Sequence, residues 1–383
     1  MNDLTPALYM HVPYCRSRCT YCDFNAYQLN DEPSTAFSDY TDALLADIRN
    51  SPARPVSTVF WGGGTPSLMP VEHLGRLMEA LDEVHPRASE SEHTIEVNPG
   101  TISLAGFKEY LRLGINRLSM GAQSFEEEHL RLVGRIHTAE QIENCVELAR
   151  RAGFENVSLD LIYGFPTQTL EQWRATLRRA LSLEPDHLSV YQLTVEPSTR
   201  LQVQLAKGEL ELPDEDEMVA MDDLAEEVLA GEGFLRYEIS NWARPGRECR
   251  HNLHYWADRP YLGLGCGAVS FMDGWRIERI KAPTYYQRAL AEGRSPVVFA
   301  ERRGSDGALK DCLMMGLRVR GGIRWSELAL RFPELEKEQV MGFLERLPVD
   351  WWHADSEKFE LTRRGWDFHS AVTMELMDVM FSF

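Results

Sequence analysis

Tyr9-Met10-His11-Val12-Pro13-Tyr14-Cys15-Arg16-Ser17-Arg18-Cys19-Thr20-Tyr21-Cys22 begins as a short strand-like run and ends in three of the chain's seven cysteines. Three thiolates on so short a loop suit three irons of a [4Fe-4S] cube, and the fourth iron then needs a ligand from outside the tripod. An open iron of that kind binds a small molecule. The competing expectation is a structural zinc site in which Cys15, Cys19 and Cys22 take His11 as the fourth ligand. Zinc sites usually pair one Cys-x-x-Cys with a second pair further along, whereas Cys145, Cys249, Cys266 and Cys312 stand apart from one another.

Outward from this stretch, short apolar runs recur, each closed by Gly, Pro or Asn and followed by helical spacing. That alternation is the signature of a parallel sheet built from βαβ units. The spacing predicts six strands, over Leu8–Val12, Val56–Trp61, Thr94–Val97, Arg117–Met120, Val157–Ile162 and Leu188–Leu193. Between them, Phe37, Tyr40, Leu44 and Ile48 form one apolar helical stripe, and Leu170, Trp173, Leu177 and Leu181 another. The fold class is therefore α/β, a partial (β/α)6 barrel. The unusual residues fall at strand ends, where β/α barrels carry their sites: Cys15 after the first, Gly62-Gly63-Gly64-Thr65-Pro66 after the second, Glu96-Val97-Asn98-Pro99 at the third, Gln123 after the fourth, and Asp160 in the fifth.

With 383 residues, 44% of them apolar, the chain suffices for one large core and a smaller one. A net charge of -19 opposes phosphate binding and argues against nucleic acid as the main partner. No run reaches the ~18 apolar residues of a membrane span. The opening Met1-Asn2-Asp3-Leu4 lacks the pattern of a secretory leader, and the clustered, odd-numbered cysteines favour a reducing compartment, so the expected location is the cytoplasm.

The glycine loop after strand two lets backbone approach a ligand, although a plain strand-to-helix turn explains it as well. It matches neither the dinucleotide fingerprint nor the phosphate loop. Glu96, Gln123, Arg135 and Asp160 suit an amino-acid-like ligand: its ammonium at Glu96, its carboxylate at Arg135, and a ribose diol at Asp160 or Gln123. An ion-pair network lining the barrel is the alternative for any one of them.

After about Leu205 the pattern changes. Asp214-Glu215-Asp216-Glu217 opens a helix ending near Gly231, its carboxylates complementing the helix dipole. Three parts are expected: 1–235 as the core barrel, 236–303 as a barrel extension, and 304–383 as a small C-terminal winged-helix-like α+β module, with a charged, flexible boundary near Gly304–Gly307. In that last part Leu309–Gly316 and Trp325–Phe332 read as helices, Trp351–Thr362 as a hairpin, and Trp366–Phe383 as a docking helix rather than a lipid-surface one.

Taken together, Tyr9-x-His11-x-Pro13-x-Cys15-x-x-x-Cys19-x-x-Cys22, Gly62-Gly63-Gly64-Thr65-Pro66, Glu96-x-Asn98-Pro99 and Gly121-x-Gln123-Ser124-Phe125 resemble the radical S-adenosylmethionine (SAM) proteins of the oxygen-independent coproporphyrinogen III oxidase group, over nearly the whole chain. The resemblance implies a barrel of radical SAM type, with Cys15, Cys19 and Cys22 as cluster ligands and Tyr9, Gly63, Gly64, Thr65, Glu96, Gln123, Arg135, Asp160 and the more variable Thr194 as SAM contacts. It also contains a departure. Oxidases of the group carry a further cysteine two positions after the third ligand, and this chain has Phe24 there; it is also shorter at its N-terminus. Both features resemble the haem-chaperone branch.

Within that branch, Cys249-Arg250-His251-Asn252-Leu253-His254-Tyr255-Trp256 is similar to the His-Asn-x-x-Tyr-Trp segment associated with haem. The resemblance implies His251 as axial ligand with Tyr255 and Trp256 packing on the macrocycle; a histidine hydrogen-bonded in a turn beside core aromatics is the plainer alternative. Gly263-Leu264-Gly265-Cys266-Gly267-Ala268 lies near the cofactor mouth in the family. The expected function is a haem chaperone with a [4Fe-4S] cluster and SAM, an electron donor for the cluster, and a haem acceptor protein, for which a membrane respiratory enzyme is a candidate that would bring the chain to the membrane periphery. The alternative is radical decarboxylation of coproporphyrinogen III, so whether the chain is an enzyme stays open.

Overall fold

The computed structural model describes residues 5–381; Met1–Leu4 and the last two residues of the expected docking helix, Ser382 and Phe383, lie outside them. Strands β1 (Ala7–Val12), β2 (Val56–Gly63), β3 (Arg87–Val97), β4 (Arg117–Gln123), β5 (Val157–Tyr163) and β6 (His187–Gln192) run parallel in chain order. These are the six strands the sequence predicts, β3 extended at its start. Helices α1 (Ala36–Asn50), α2 (Val71–Val84), α3 (Leu104–Arg112), α4 (Ala139–Ala152) and α5 (Leu170–Leu181) connect them. Tyr40, Leu44 and Ile48 of α1 are fully buried, as are Trp173 and Leu177 of α5, whereas Leu170 at the exposed start of α5 is not part of its buried stripe.

The sheet continues beyond the six strands on both sides. After α6 (Glu215–Gly231), β7 (Leu235–Glu238) and β8 (Asn241–Ala243) extend it antiparallel from β6. The expected boundary at 235 thus falls inside a strand. After the short helix α7 (Arg250–Trp256), the chain crosses to the other edge: β9 (Tyr261–Leu264) pairs parallel with β1, followed by antiparallel β10 (Val269–Met272), β11 (Trp275–Arg279) and β12 (Val297–Arg302). The full order is β12-β11-β10-β9-β1-β2-β3-β4-β5-β6-β8-β7. The acidic run does start a helix: the Asp214 carboxylate accepts from the Glu217 N–H at 2.8 Å and the Glu217 side chain accepts from the Asp214 N–H, a reciprocal cap.

The C-terminal part has its own apolar cluster, centred on Leu313, Val340, Phe343, Phe359 and Leu376. Its order, α8 (Ser305–Gly316), β13 (Ile323–Arg324), α9 (Trp325–Arg331), α10 (Lys337–Leu344), then the hairpin β14 (Trp352–Ala354) and β15 (Lys358–Leu361), is that of a winged helix. Gly304, in the stretch expected as a boundary, caps α8, the first helix of this unit. The expected docking helix is two helices, α11 (Arg363–Asp367) and α12 (His369–Phe381), and it docks on its own unit through Trp366, Val372 and Leu376. Among the described residues no helix is long and apolar enough to cross a membrane.

Candidate functional site

Two cavities open side by side at the carboxyl ends of the parallel strands, sharing Phe24, Gly63 and Glu96 in their walls. The first, about 350 Å³, is lined by all three clustered cysteines. Gly64, Thr65, Gln123, Arg135 and Asp160 complete its polar wall, with Thr194 exposed at the rim. Tyr9 is not among them; it lies with His251 in the second cavity.

The cysteine loop is held by backbone bonds to the glycine loop and to Val133. The Gly64 N–H donates to Val12 at 2.7 Å, the Thr65 N–H to Tyr14 at 2.8 Å, and the Thr20 N–H to Val133 at 3.0 Å. Glycine is required here for packing: a Cβ on Gly64 would stand 2.8 Å from Pro13 and Tyr14 backbone atoms, and one on Gly63, at φ 115°, would meet the His11 ring at 2.5 Å. The strand-to-helix turn therefore accounts for these glycines, which line the cavity as well. Burial pushes the Cys15 thiol up, partly offset by the Thr65 hydroxyl, and pushes Cys22 up to about 11.

A chain of hydrogen bonds runs from Cys15 to Cys19. The Thr65 hydroxyl donates to Cys15 Sγ at 3.4 Å, Asn98 Nδ2 to the Thr65 hydroxyl at 2.9 Å, and Arg135 Nη2 to Asn98 Oδ1 at 2.7 Å and to the Gly121 carbonyl at 2.5 Å, while Arg135 Nη1 reaches Cys19 Sγ at 3.6 Å. Asn98, part of the Glu96-x-Asn98-Pro99 motif, is the link between Thr65 and Arg135. A Cβ on Gly121 would be 2.9 Å from the Arg135 guanidinium, so this glycine admits it. Gln123, at φ 67°, closes β4 in the left-handed region beside it.

The carboxyls divide in role. Glu96 Oε2 accepts from the Gly63 N–H at 3.1 Å, yet burial, then the nearby Asp160, push its carboxyl up to about 8. Asp160 accepts from the Ser119 hydroxyl at 3.1 Å; burial raises it too, against hydrogen bonds from Ser189 and Ser119 and the charge of Arg117. Glu96 thus lacks a cation partner and Arg135 Nε is buried with no hydrogen-bond partner among the described residues. An ammonium and a carboxylate from one ligand answer both needs.

His11 offers no lone pair to a metal. Its Nε2–H donates to the Asn25 carbonyl at 2.9 Å, leaving Nδ1 to accept from the Tyr9 hydroxyl at 3.0 Å. Among the described residues no three His, Cys, Asp or Glu side chains gather as a cage for a single metal ion.

The second cavity, about 520 Å³, is mainly aromatic. His251, on α7, is buried at its wall and stacks on Phe60 with ring centroids 5.1 Å apart. Its Nδ1 bonds the Thr58 hydroxyl at 2.8 Å and its Nε2 the Tyr255 hydroxyl at 3.1 Å. Burial, with smaller effects of His254 and Arg117, holds it down to about 3, so the imidazole is neutral. The plainer alternative for His251 describes this arrangement: iron ligation first requires the Tyr255 bond to break. Tyr255 and Trp256 both line the cavity. His254 is turned to the Ala7 N–H and Pro260 carbonyl, and Cys249 is buried against Glu92. Phe60 and Met315 of this wall were not singled out by sequence, since nothing local distinguishes them from core residues. Gly267 and Ala268 also belong to it.

Comparison with known proteins is consistent across sequence and structure. Residues 9–180 match the family model of the Radical SAM superfamily. The heme chaperone HemW of Synechocystis sp. is 37% identical over 345 residues, covering 88% of this chain and 84% of that protein. HemW of Escherichia coli is 40% identical over 295 residues, 75% of this chain and 76% of the relative. Among solved structures, coproporphyrinogen III oxidase (HemN) from Escherichia coli, described as a radical SAM enzyme, aligns with a TM-score of 0.83 at 26% identity, over 97% of this chain and 90% of its own.

Proposed function

Since this chain belongs to the HemW heme-chaperone family of radical SAM proteins, we propose that it carries haem in the aromatic cavity beside a [4Fe-4S] cluster and SAM, and passes the haem to an acceptor protein. The observation that carries the reading is the pair of adjoining cavities, one lined by three cysteines and a polar wall, the other aromatic and of cofactor size. Cys15, Cys19 and Cys22 would hold the cluster. Glu96 would take the ammonium of SAM and Arg135 its carboxylate, with Asp160 and Gln123 at the ribose and Gly63, Gly64 and Thr65 forming the floor. When bound, the cluster and SAM supply one-electron chemistry. The chain's part is to orient the pair and to keep Phe24, 61% exposed, between that site and the haem. An electron donor would be needed to reduce the cluster, and a membrane respiratory enzyme is a fitting class of acceptor.

Anaerobic reconstitution tests the first half: about four iron per chain are expected from a filled cube, and Cys19→Ala abolishes them. Haem titration tests the second. Saturable uptake is expected, weakened or spectrally altered by Tyr255→Ala and Trp256→Ala. In His251→Ala an unchanged affinity and spectrum would remove His251 as ligand. The likeness to HemN over 97% of the chain favours one second reading, oxidative decarboxylation of coproporphyrinogen III. Robust anaerobic formation of protoporphyrinogen IX by the reconstituted protein would establish it over the chaperone reading.

A further inference from the structure

The histidines on the wall of the aromatic cavity are committed elsewhere; Tyr261 and Asn252 also line it, but a phenol raised by burial must first lose its proton and a neutral amide is a weak iron ligand. Both nitrogens of His11 and both of His251 are hydrogen-bonded, the hydroxyls of Tyr9 and Tyr255 are their partners, and Glu96 accepts from Gly63. Met315 also lines this cavity, from the last turn of α8 in the C-terminal unit. A thioether has no proton to place, and its sulfur is a soft donor that binds iron without a prior hydrogen bond having to break.

The backbone under Met315 is fixed against the barrel. Arg318, three residues on, lies over the Trp256 ring at 4.1 Å and pairs with the fully buried Glu238 at 2.7 Å. The Ile239 N–H donates to the Arg318 carbonyl at 3.2 Å, and His369 bonds the Met314 carbonyl at 2.8 Å. Met314, the neighbouring residue, is exposed, so the helix turns one methionine to solvent and the next to the cavity.

We infer that Met315 is the ligand this cavity offers to haem iron, which makes the C-terminal unit part of the haem site. The inference rests on the haem reading above. Methionine ligation raises the potential of a haem and favours the ferrous state. A soft, single thioether also holds iron weakly enough for a carrier to release it.

The test uses the full chain, reconstituted anaerobically and titrated with haem, as wild type, Met315→Leu and Met315→His. The expected wild-type ferric complex shows a sulfur-to-iron charge-transfer band in the near infrared. Met315→Leu conserves volume; it should lose that band, lower the midpoint potential and release haem faster to apomyoglobin, with cluster iron unchanged. Met315→His should show a nitrogen-ligated spectrum, which decides the matter should the leucine variant lose its cluster. A wild-type complex without the sulfur band, or variants with the wild-type spectrum and potential, would overturn Met315 while leaving the haem reading standing. Failure of the wild type to take up haem at all would overturn both.

Discussion

Glu96 is the side chain whose charge depends most on what enters the cavity. Burial first, then Asp160, raise its carboxyl to about 8, so at neutral pH the ligand-free site holds it mainly protonated. A cationic amine that binds there drives the proton off. Binding of SAM at pH 7 is therefore expected to release up to about one proton per chain, read by calorimetry in buffers of different ionisation heat. The release should shrink above pH 8 and vanish in Glu96→Gln; an equal release from that variant would assign the proton elsewhere. The same raised value has a sign for stability. The contribution is fully present below the unfolded value near 4.5 and is lost as pH rises through about 8, so the ligand-free protein should melt lower above that pH. His251, held down to about 3, acts oppositely: its contribution is present above 6.5 and is lost as pH falls toward 3.

The connection after β2 shows how an element fixes a site. Gly64 packs against the Pro13–Tyr14 backbone, and nothing there is a flexible side chain end that yields. Gly64→Ala should cost about 1–3 kcal/mol and reduce cluster incorporation, since the displaced backbone carries Cys15. Gly342→Ala is the control: it lies in α10 with nothing within 4 Å of a new Cβ, and should leave the melting temperature unchanged or raise it. Elements of this kind were legible in sequence where a local rule applied. Asp214 and Glu217 cap α6 because a short carboxylate satisfies a free N–H one turn on, a relation contained in four residues.

At the scale of the molecule, the two apolar cores are joined by charge. Glu238 of β7 has no exposed side-chain surface and is paired by Arg318, which also covers Trp256; Arg363 of α11 pairs with Asp222 of α6, which Arg236 also holds. Arg318→Met leaves Glu238 buried without a cation, which should cost about 3–5 kcal/mol. Because that pair joins the two units, thermal unfolding of the variant should separate into two transitions. A single transition at the wild-type temperature would show that the pair contributes nothing to the joint.

The order of six strands and the polar residues at their ends followed from the sequence, because each rests on local spacing: period two in strands and near four in helices. Tertiary structure alone decided what lies next to the cysteine loop. The chain crosses the whole sheet so that β9 pairs with β1, and this brings α7 to β2, where His251 meets Thr58 across 193 residues of sequence. Met315 reaches the same cavity from a separate core. Periodicity states which side of an element is apolar; it carries no information on which distant element will cover that side. The hydrogen-bond partners that occupy His251 and leave the Met315 sulfur uncommitted are set by that covering.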